Sequence, residues 1–337
     1  MSPSQSVADL GEHALIARIE ARVPDGPSWV TLGIGDDAAV LAPARGEQVV
    51  VTTDSLVEGV HFERAFSPLE AVGYKALAVN LSDLAAMGAE SRAVLLSLAL
   101  PATLPVEAFD ALVDGFLALA AASRTPLVGG NLTRSPGPLV VAVTAVGSAR
   151  PRRLITRRGA RPGDELFVTG ALGAAAAGLA VLRSGATRAG LDADRAGCVA
   201  RYERPEPRLR AGVMAARSRS VSAGMDLSDG LADAVHQIAR ASLVGAIVVA
   251  ADLPIHSGAR AWCVETAADP VALALSGGED YELLFAVPRR RRRSFLAAAQ
   301  RWSGLPVTRV GRITKDRGVW LDRDGHREPL GGGFVHF

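Results

Sequence analysis

Strand-like and helix-like runs alternate along almost the whole chain, and that alternation restricts the fold to a mixed α/β architecture. The run "QVVVTTDSL" (48–56) is rich in β-formers and ends in polar residues. It is followed by "SPLEAVGYKALAVNLSDLAAMGA", where Ser67, Pro68 and Glu70 stand at the N-cap, first and third positions of a helix, a capping-box pattern. Val72, Ala76 and Val79 then form an apolar stripe at helical spacing, and Asp83 falls on the same stripe four residues later. An acid is out of place there as packing. It belongs at a helix end that meets a cavity, or beside a cation. "AVLLSLAL" and "PLVVAVTAVG" predict strands, and "PVEAFDALVDGFLALAAAS" predicts a helix.

The basic stretch "RPRRLITRRGARPGD" (150–164) carries Pro and Gly and has little periodicity, so it reads as a junction between domains 1–150 and 151–337. Beyond it, "ELFVTG", "SVSAGMD", "YELLFAVP" and "VTRVGRI" predict strands. Helical patterns separate them in "ALGAAAAGLAVLRSG", "PEPRLRAGVMAARS", "LADAVHQIARAS" and "RRRRRSFLAAAQRW". Both halves are α/β, with no short-period repeat.

Composition removes several classes of function. Lys and Arg total 37 against 35 acids, so the net charge of +2 gives no support to nucleic-acid binding. The five arginines at 289–293 follow Pro288 and have no interleaved aromatics, which predicts a solvated helix and not a nucleic-acid grip. Two cysteines, Cys198 and Cys263, make neither a disulfide framework nor a thiolate metal cluster. The N-terminal residues lack a basic segment followed by an apolar one, and the apolar run at 171–182 is too short to cross a membrane. A cytoplasmic protein is the expectation.

Acids recur in one setting, next to Gly, Ser or Thr at the end of an apolar run. They are Asp36 and Asp37 in "GIGDDAAV", Asp54 in "TTDSLVEGVHF", Asp83 in "NLSDLAAMG", Asp226 and Asp229 in "MDLSDG", and Glu279 and Asp280 in "SGGEDYELL". One such Asp is an ordinary cap or turn residue. Eight in the same surroundings point to a shared cleft. Oxygen-only donors suit Mg²⁺ or Mn²⁺, because the six histidines are scattered. Carboxylates gathered around such cations become a template for phosphate oxygens. No G-x-x-x-x-G-K-[ST] run and no protein-kinase motif set occurs. "GGN" (129–131) offers glycines where backbone N–H groups could approach a phosphate in a loop.

The motifs "GIGDDAAV", "TTDSLVEGVHF", "GYKALAVNLSDLAAMGA", "RRGARPGDELFVTGALG", "MDLSDGL", "LSGGEDYELLF" and "GGGFVHF" occur in an order that resembles the thiamine-monophosphate kinase family, within the aminoimidazole-ribonucleotide-synthetase-like ATP-binding superfamily. The resemblance runs from about residue 11 to the C-terminus. It implies a two-domain PurM/AIRS-like fold, with an N-terminal domain for ATP, metal and homodimer contacts and a C-terminal AIRS-like domain. The implied activity is Mg²⁺-assisted transfer of the ATP γ-phosphoryl to thiamine monophosphate, giving thiamine diphosphate. Asp36, Thr52, Thr53, Asp54, Asp83, Asn131, Asp226 and Asp229 are implied as ligands to several Mg²⁺ ions, and the five aspartates among them as the catalytic set. Gly130, Asn131, Ser228 and Arg157, with Arg158 as the alternative to the last, are implied at ATP. His61 and Glu279 or Asp280 are implied at the substrate, while Asp37 holds its loop.

The chain also departs from the family pattern. Asn131 stands where an Asp is usual, Val113 and Asp114 occupy a region that often holds a nucleotide-facing aromatic, and "LGGGF" leaves only Phe334 near the C-terminus. These changes keep open a different acceptor within the superfamily, or a nucleotide-binding homologue with reduced turnover. A reactive Cys near the N-terminal glycines or at the C-terminus would mark other branches of the superfamily, and neither is present.

Overall fold

The structure, a computed structural model, describes residues 5–35, 38–42 and 44–332. The chain divides into two compact units, one of residues 1–84 and 90–150 and the other of residues 85–89 and 151–337.

In the first unit, short helices α1 (Val7–Leu10) and α2 (Glu12–Glu20) precede a two-stranded ribbon of β1 (Val30–Leu32) and β2 (Val40–Leu41). A four-stranded sheet follows from β3 (Gln48–Val57), β4 (Glu90–Pro101), β5 (Leu127–Ser135) and β6 (Val140–Ala149), in the order β3-β6-β4-β5. β6 pairs antiparallel with β3 and β4, while β4 and β5 run parallel. Helices α3 (Leu69–Ala86) and α4 (Val106–Ser123) supply the apolar cover, with Leu77, Leu81, Leu84, Phe109, Leu112 and Phe116 fully buried. The helices meet at reciprocal glycines. A methyl on Gly73 would lie 1.9 Å from the Leu112 carbonyl, and one on Gly115 would lie 1.8 Å from that of Glu70. No side chain larger than hydrogen fits either position. Ser67 departs from the capping-box expectation: its buried Oγ has no hydrogen-bond partner among the described residues, and the Pro68 carbonyl accepts from Val72 N at 3.1 Å.

The second unit is built on a seven-stranded sheet. Its strands are β7 (Glu165–Thr169), β8 (Ala223–Asp226), β9 (Gly245–Val249), β10 (Leu283–Val287), β11 (Val307–Thr314), β12 (Val319–Arg323) and β13 (His326–Pro329), in the order β13-β12-β9-β11-β7-β10-β8. Only β12 and β9 run parallel; the other neighbours are antiparallel. The helices are α5 (Ala174–Arg183), α6 (Ala193–Glu203), α7 (Leu209–Ser218), α8 (Leu231–Ser242), α9 (Ser257–Thr266), α10 (Pro270–Ser276) and α11 (Arg292–Ala299).

β7 and β10 are buried at every residue, which explains the unbroken apolar run of β10 and the apolar centre Leu166–Val168 of β7. Alternate side chains feed two cores, as the two-residue period of a strand requires. Leu166, Val168, Leu284 and Ala286 join Leu231, Val235 and Ile238 of α8 on one face. Phe167, Phe285 and Val287 join Phe295 and Trp302 on the other. There the rings of Phe295 and Trp302 meet edge-on at 5.6 Å, and those of Phe285 and Phe295 at 5.8 Å. The arginine run begins with a single 3-10 turn at Arg289–Arg291, and α11 starts only at Arg292. Among the described residues, no helix is long and apolar enough to cross a membrane.

Candidate phosphoryl-transfer site

Each unit carries its own share of the acids singled out in the sequence. In the first unit, strand alternation places Thr52 and Asp54 on one face of β3, and Thr53 on the other. Thr52 Oγ1 donates to Asp83 Oδ2 at 2.5 Å, which ties the strand to the last turns of α3 and gathers Thr52, Asp54 and Asp83 on the helix-covered side. Asp83 is therefore the polar end of an apolar stripe, as its spacing foretold. Thr53 directs its hydroxyl elsewhere: its Oγ1 donates to the Val143 carbonyl at 3.0 Å and accepts from Thr144 Oγ1 at 3.2 Å. Its side chain is thus separated from Thr52 and Asp54, because adjacent strand residues face opposite ways. His61 closes the turn after β3, its Nδ1 accepting from Val57 N at 3.1 Å. Asp36, Asp37 and Phe334 lie outside the described residues.

The "GGN" segment is not a loop. Gly129, Gly130 and Asn131 lie inside β5, with Asn131 in register with Ser97 of β4. A methyl on Gly130 would sit 1.9 Å from the Leu96 carbonyl, so the glycine serves close strand approach. Asn131 is exposed on this edge strand. Val113 is fully buried in α4, whereas Asp114 pairs with Arg22 at 3.1 Å.

In the second unit, β8 ends at Asp226, and the tight segment Leu227–Gly230 leads directly into α8. The loop Gly277–Glu282 is stitched to it through backbone. Glu279 N donates to the Ser228 carbonyl at 2.6 Å, Tyr281 N to that of Leu227 at 3.0 Å, and Leu227 N to that of Glu282 at 2.8 Å. These bonds bring Asp226, Ser228, Asp229 and Glu279 to one end of the sheet. Asp226 is 4% exposed, and Ser228 Oγ donates to Asp229 Oδ2 at 3.3 Å. Glu279 and Tyr281 both hold left-handed φ, at 59° and 48°, so the loop doubles back sharply to make those contacts.

Glu279 and Asp280 therefore have different environments. Asp280 is buried, and its carboxylate accepts from Gly173 N at 2.7 Å and Ala175 N at 3.2 Å. A negative charge there caps the N-terminus of α5. Burial pushes the Asp280 carboxyl up to about 7, against the pull of the two amide donors. Glu279 is half-buried at the turn and is the member of the pair placed beside Asp229.

Arg157 lies along α8. Its Nη1 donates to Gln237 Oε1 at 2.5 Å, and Gln237 Nε2 donates to Asp233 Oδ2, also at 2.5 Å. Asp233 and Gln237 stand one turn apart on α8, so they form a polar pair that reaches Arg157, while Asp229 lies before the helix. Arg158 is exposed, and its carbonyl accepts from Thr156 Oγ1 at 2.9 Å.

A buried ion-pair cluster beneath the loop escaped the sequence reading. Glu282 is 0% exposed and takes Arg208 in a fork at 2.8 and 2.5 Å, Arg201 at 2.6 Å and Thr169 Oγ1 at 2.7 Å. The available signal was Glu282 itself, an acid at the mouth of the apolar run "LLFAV" and only two residues from Asp280. The arginines that answer it lie far away in sequence, on α6 and before α7.

Among the described residues, no three His, Cys, Asp or Glu side chains gather as a complete metal cage. A full cage is not what Mg²⁺ demands: it is commonly held by one or two carboxylates, with waters and substrate phosphates completing the octahedron. Thr52, Asp54 and Asp83 in one unit, and Asp226 and Asp229 in the other, are hard oxygen donors of that kind.

Residues 35–149 match the family described as AIR synthase related protein, N-terminal domain, and residues 161–322 match its C-terminal domain. Thiamine-monophosphate kinase of Synechococcus elongatus is 38% identical, over 99% of this chain and 98% of that protein. The Escherichia coli K12 enzyme of the same name is 41% identical, over 97% and 98%. The chain belongs to the thiamine-monophosphate kinase family. Solved structures of the family agree with the fold. The Stenotrophomonas maltophilia enzyme superposes with a TM-score of 0.82 at 40% identity, covering 94% of this chain and 98% of that one. AaThiL complexed with AMPPCP and TMP gives 0.78 at 32% identity over the whole of both chains. Both structures support a two-domain PurM-like α/β fold for this chain.

Proposed function

We propose that this chain is a thiamine-phosphate kinase, which transfers the γ-phosphoryl group of ATP to thiamine monophosphate and forms thiamine diphosphate. The observation that carries this reading is the near-full-length match to thiamine-monophosphate kinases, one of which has been solved with an ATP analogue and TMP.

The acceptor is a phosphate oxygen, already ionised at neutral pH, so no general base is required. The barrier is dominated by repulsion between two anions and by their alignment. Bound Mg²⁺ would supply charge neutralisation and phosphate alignment, held by Asp54, Asp83, Asp226 and Asp229, with Asp36 as a further ligand and Thr52 beside Asp83. Asn131 is a further oxygen donor for the cation, whereas the Thr53 hydroxyl, turned to the Val143 carbonyl, is left out of the set. Ser228 and Arg157 serve the nucleotide, with Gly130 letting β5 lie close enough to offer its backbone. His61 and Glu279 contact the thiamine phosphate, and Asp280 holds the Glu279 loop against α5.

Residues 1–150 are assigned to ATP, metal and dimer contacts, and residues 151–337 to the AIRS-like domain. A homodimer is supported by β3, an edge strand with Val49 and Val51 exposed at 64% and 61%. Such an edge is suited to cover by a second copy. The enzyme is assigned to the cytoplasm, where its nucleotide donor is made.

Mg²⁺-dependent ADP release, measured with and without thiamine monophosphate, tests the assignment. Thiamine monophosphate should stimulate release strongly, and Asp226→Ala should abolish the stimulation while the far-ultraviolet circular dichroism stays unchanged. Turnover by Asp226→Ala near that of the unmodified protein would remove the role given to that carboxylate. Absence of any stimulation in the unmodified protein would leave a nucleotide binder.

A further inference from the structure

A groove of about 760 Å³ opens at the opposite end of β7, β8 and β10 from Asp226 and Glu279. Its walls come from the residues flanking those strands, Asp164 before β7, Ser222 before β8 and Pro288 after β10. β10 alone separates the two ends by about 13 Å of extended chain. Arginines from four separate segments line the groove: Arg152 and Arg153, Arg161, Arg219, and the 3-10 turn Arg289–Arg291.

Six of these guanidiniums, on Arg152, Arg153, Arg161, Arg219, Arg289 and Arg290, make no ion pair with a carboxylate among the described residues. The seventh, Arg291, donates to the Arg219 carbonyl, which fastens the arginine turn to the end of α7. Asp164 is the single acid in the lining, and its Oδ2 is already occupied by Ser222 Oγ at 2.6 Å and Arg161 N at 3.0 Å. Neighbouring Glu165 is taken by Arg292 at 3.4 Å and Arg309 at 3.3 Å. A solvated basic face spreads its charges and carries acids among them. Here like charges from four segments converge on one concavity without counter-ions, an arrangement that an anion would stabilise.

We propose that this groove is a second ligand site, for a small polyphosphate anion: a phosphoanhydride chain, either inorganic or carried by a nucleotide. Planar guanidiniums grip phosphate oxygens in pairs, and the volume is that of a small-molecule pocket. A nucleic acid is disfavoured on two counts. The chain is close to neutral at +2, and the groove lining holds no aromatic ring on which a base could stack. The arginine run that sequence patterning assigns to a solvated helix thus acquires a ligand.

The test is calorimetric titration of the full chain with inorganic tripolyphosphate in EDTA, at about 50 mM salt, where exposed charges are weakly screened. Without divalent metal, the carboxylate-rich site repels the probe while the arginine groove attracts it. One site per chain is expected. Arg289→Ala with Arg290→Ala should weaken binding by about tenfold or more, since charge-assisted phosphate contacts are lost. Arg317→Ala with Arg327→Ala removes the same two charges from exposed positions outside the groove and should leave the affinity within about twofold. Asp226→Ala should leave it unchanged, which separates this site from the phosphoryl-transfer site whether or not that assignment stands. Metal-free ATP distinguishes the source: tighter binding than tripolyphosphate assigns a nucleotide, and equal binding an inorganic chain. The proposal is overturned if tripolyphosphate does not bind, or if both arginine double variants weaken it equally. It is also overturned if Asp226→Ala abolishes binding, or if a short single-stranded RNA binds the groove more tightly than tripolyphosphate.

Discussion

Truncating Glu282 to alanine should unfold the second unit at markedly lower denaturant. The side chain is fully buried and accepts from three groups, the Arg208 fork, Arg201 and the Thr169 hydroxyl. Arg208 is itself only 8% exposed, and its remaining carboxylate partner, Glu206 at 2.6 Å, is 67% exposed. Removing Glu282 therefore leaves a buried guanidinium with a weak, solvent-screened partner and a buried hydroxyl without an acceptor. Breaking a buried pair from one side typically costs about 3–5 kcal/mol. For a unit of this size that corresponds to a fall in Tm of roughly 10 °C. Trp262, Trp302 and Trp320 lie in the second unit and Trp29 alone in the first, so tryptophan fluorescence during urea titration reports chiefly on the unit in question. Replacing Arg208 and Glu282 together by leucines should cost less than the single Glu282→Ala change, because no unpaired charge remains at that position. A loss below about 1 kcal/mol for Glu282→Ala would refute the view that this network is closed and dry.

Three further outcomes are expected. Val49→Lys with Val51→Lys should turn the proposed homodimer into monomer in sedimentation velocity, because two ammonium groups cannot be buried on the β3 edge; an unchanged sedimentation coefficient would remove that edge from the proposed interface. Gly130→Ala should cost about 1–3 kcal/mol and lower ADP release, since its methyl would collide with the Leu96 carbonyl in the strand that carries Asn131; a neutral effect in both assays would contradict the packing. Asp280 has a folded-state pKa of about 7, above its ordinary value of 3.8, so the native state holds a proton that the unfolded chain releases between those limits. Its contribution to stability falls as pH rises through that window and is flat above it. Urea midpoints of Asp280→Asn should therefore gain on the unmodified protein from about pH 4.5 to 7, and parallel curves would show the assigned pKa to be wrong.

Local pattern foretold the elements whose signal is local. α8 and β4 occupy nearly the residues their periodicity marked, because one buried face imposes a regular apolar spacing. Glycines misled where their reason was distant. Gly129 and Gly130 resemble a loop in sequence, yet they lie in β5 because a neighbouring strand needs their empty side. The acids Asp54, Asp83, Asp226 and Asp229 stood out because a charge at the end of an apolar run has no packing explanation. Their arrangement was less legible. Nothing local tells that Thr52 reaches Asp83, or that Thr53 turns away to the Val143 carbonyl. The association of "MDLSDG" with "SGGEDYELL" is made by main-chain bonds across some fifty residues, which no side-chain pattern encodes. The arginine run was read alone, and its three partner segments become visible only when the strands are laid side by side.

The main-chain bonds between residues 227–228 and 279–282 have a mechanical consequence. They splice the turn after β8 and the Glu279 turn into one stiff clip, so neither can be displaced without dragging the other. A change in the Glu279 turn made to admit a differently shaped acceptor would be transmitted to Asp226 and Asp229. With the roles proposed for Glu279, Asp226 and Asp229, acceptor choice and phosphate alignment are adjustments of a single part, and selection on this scaffold would have to move them together.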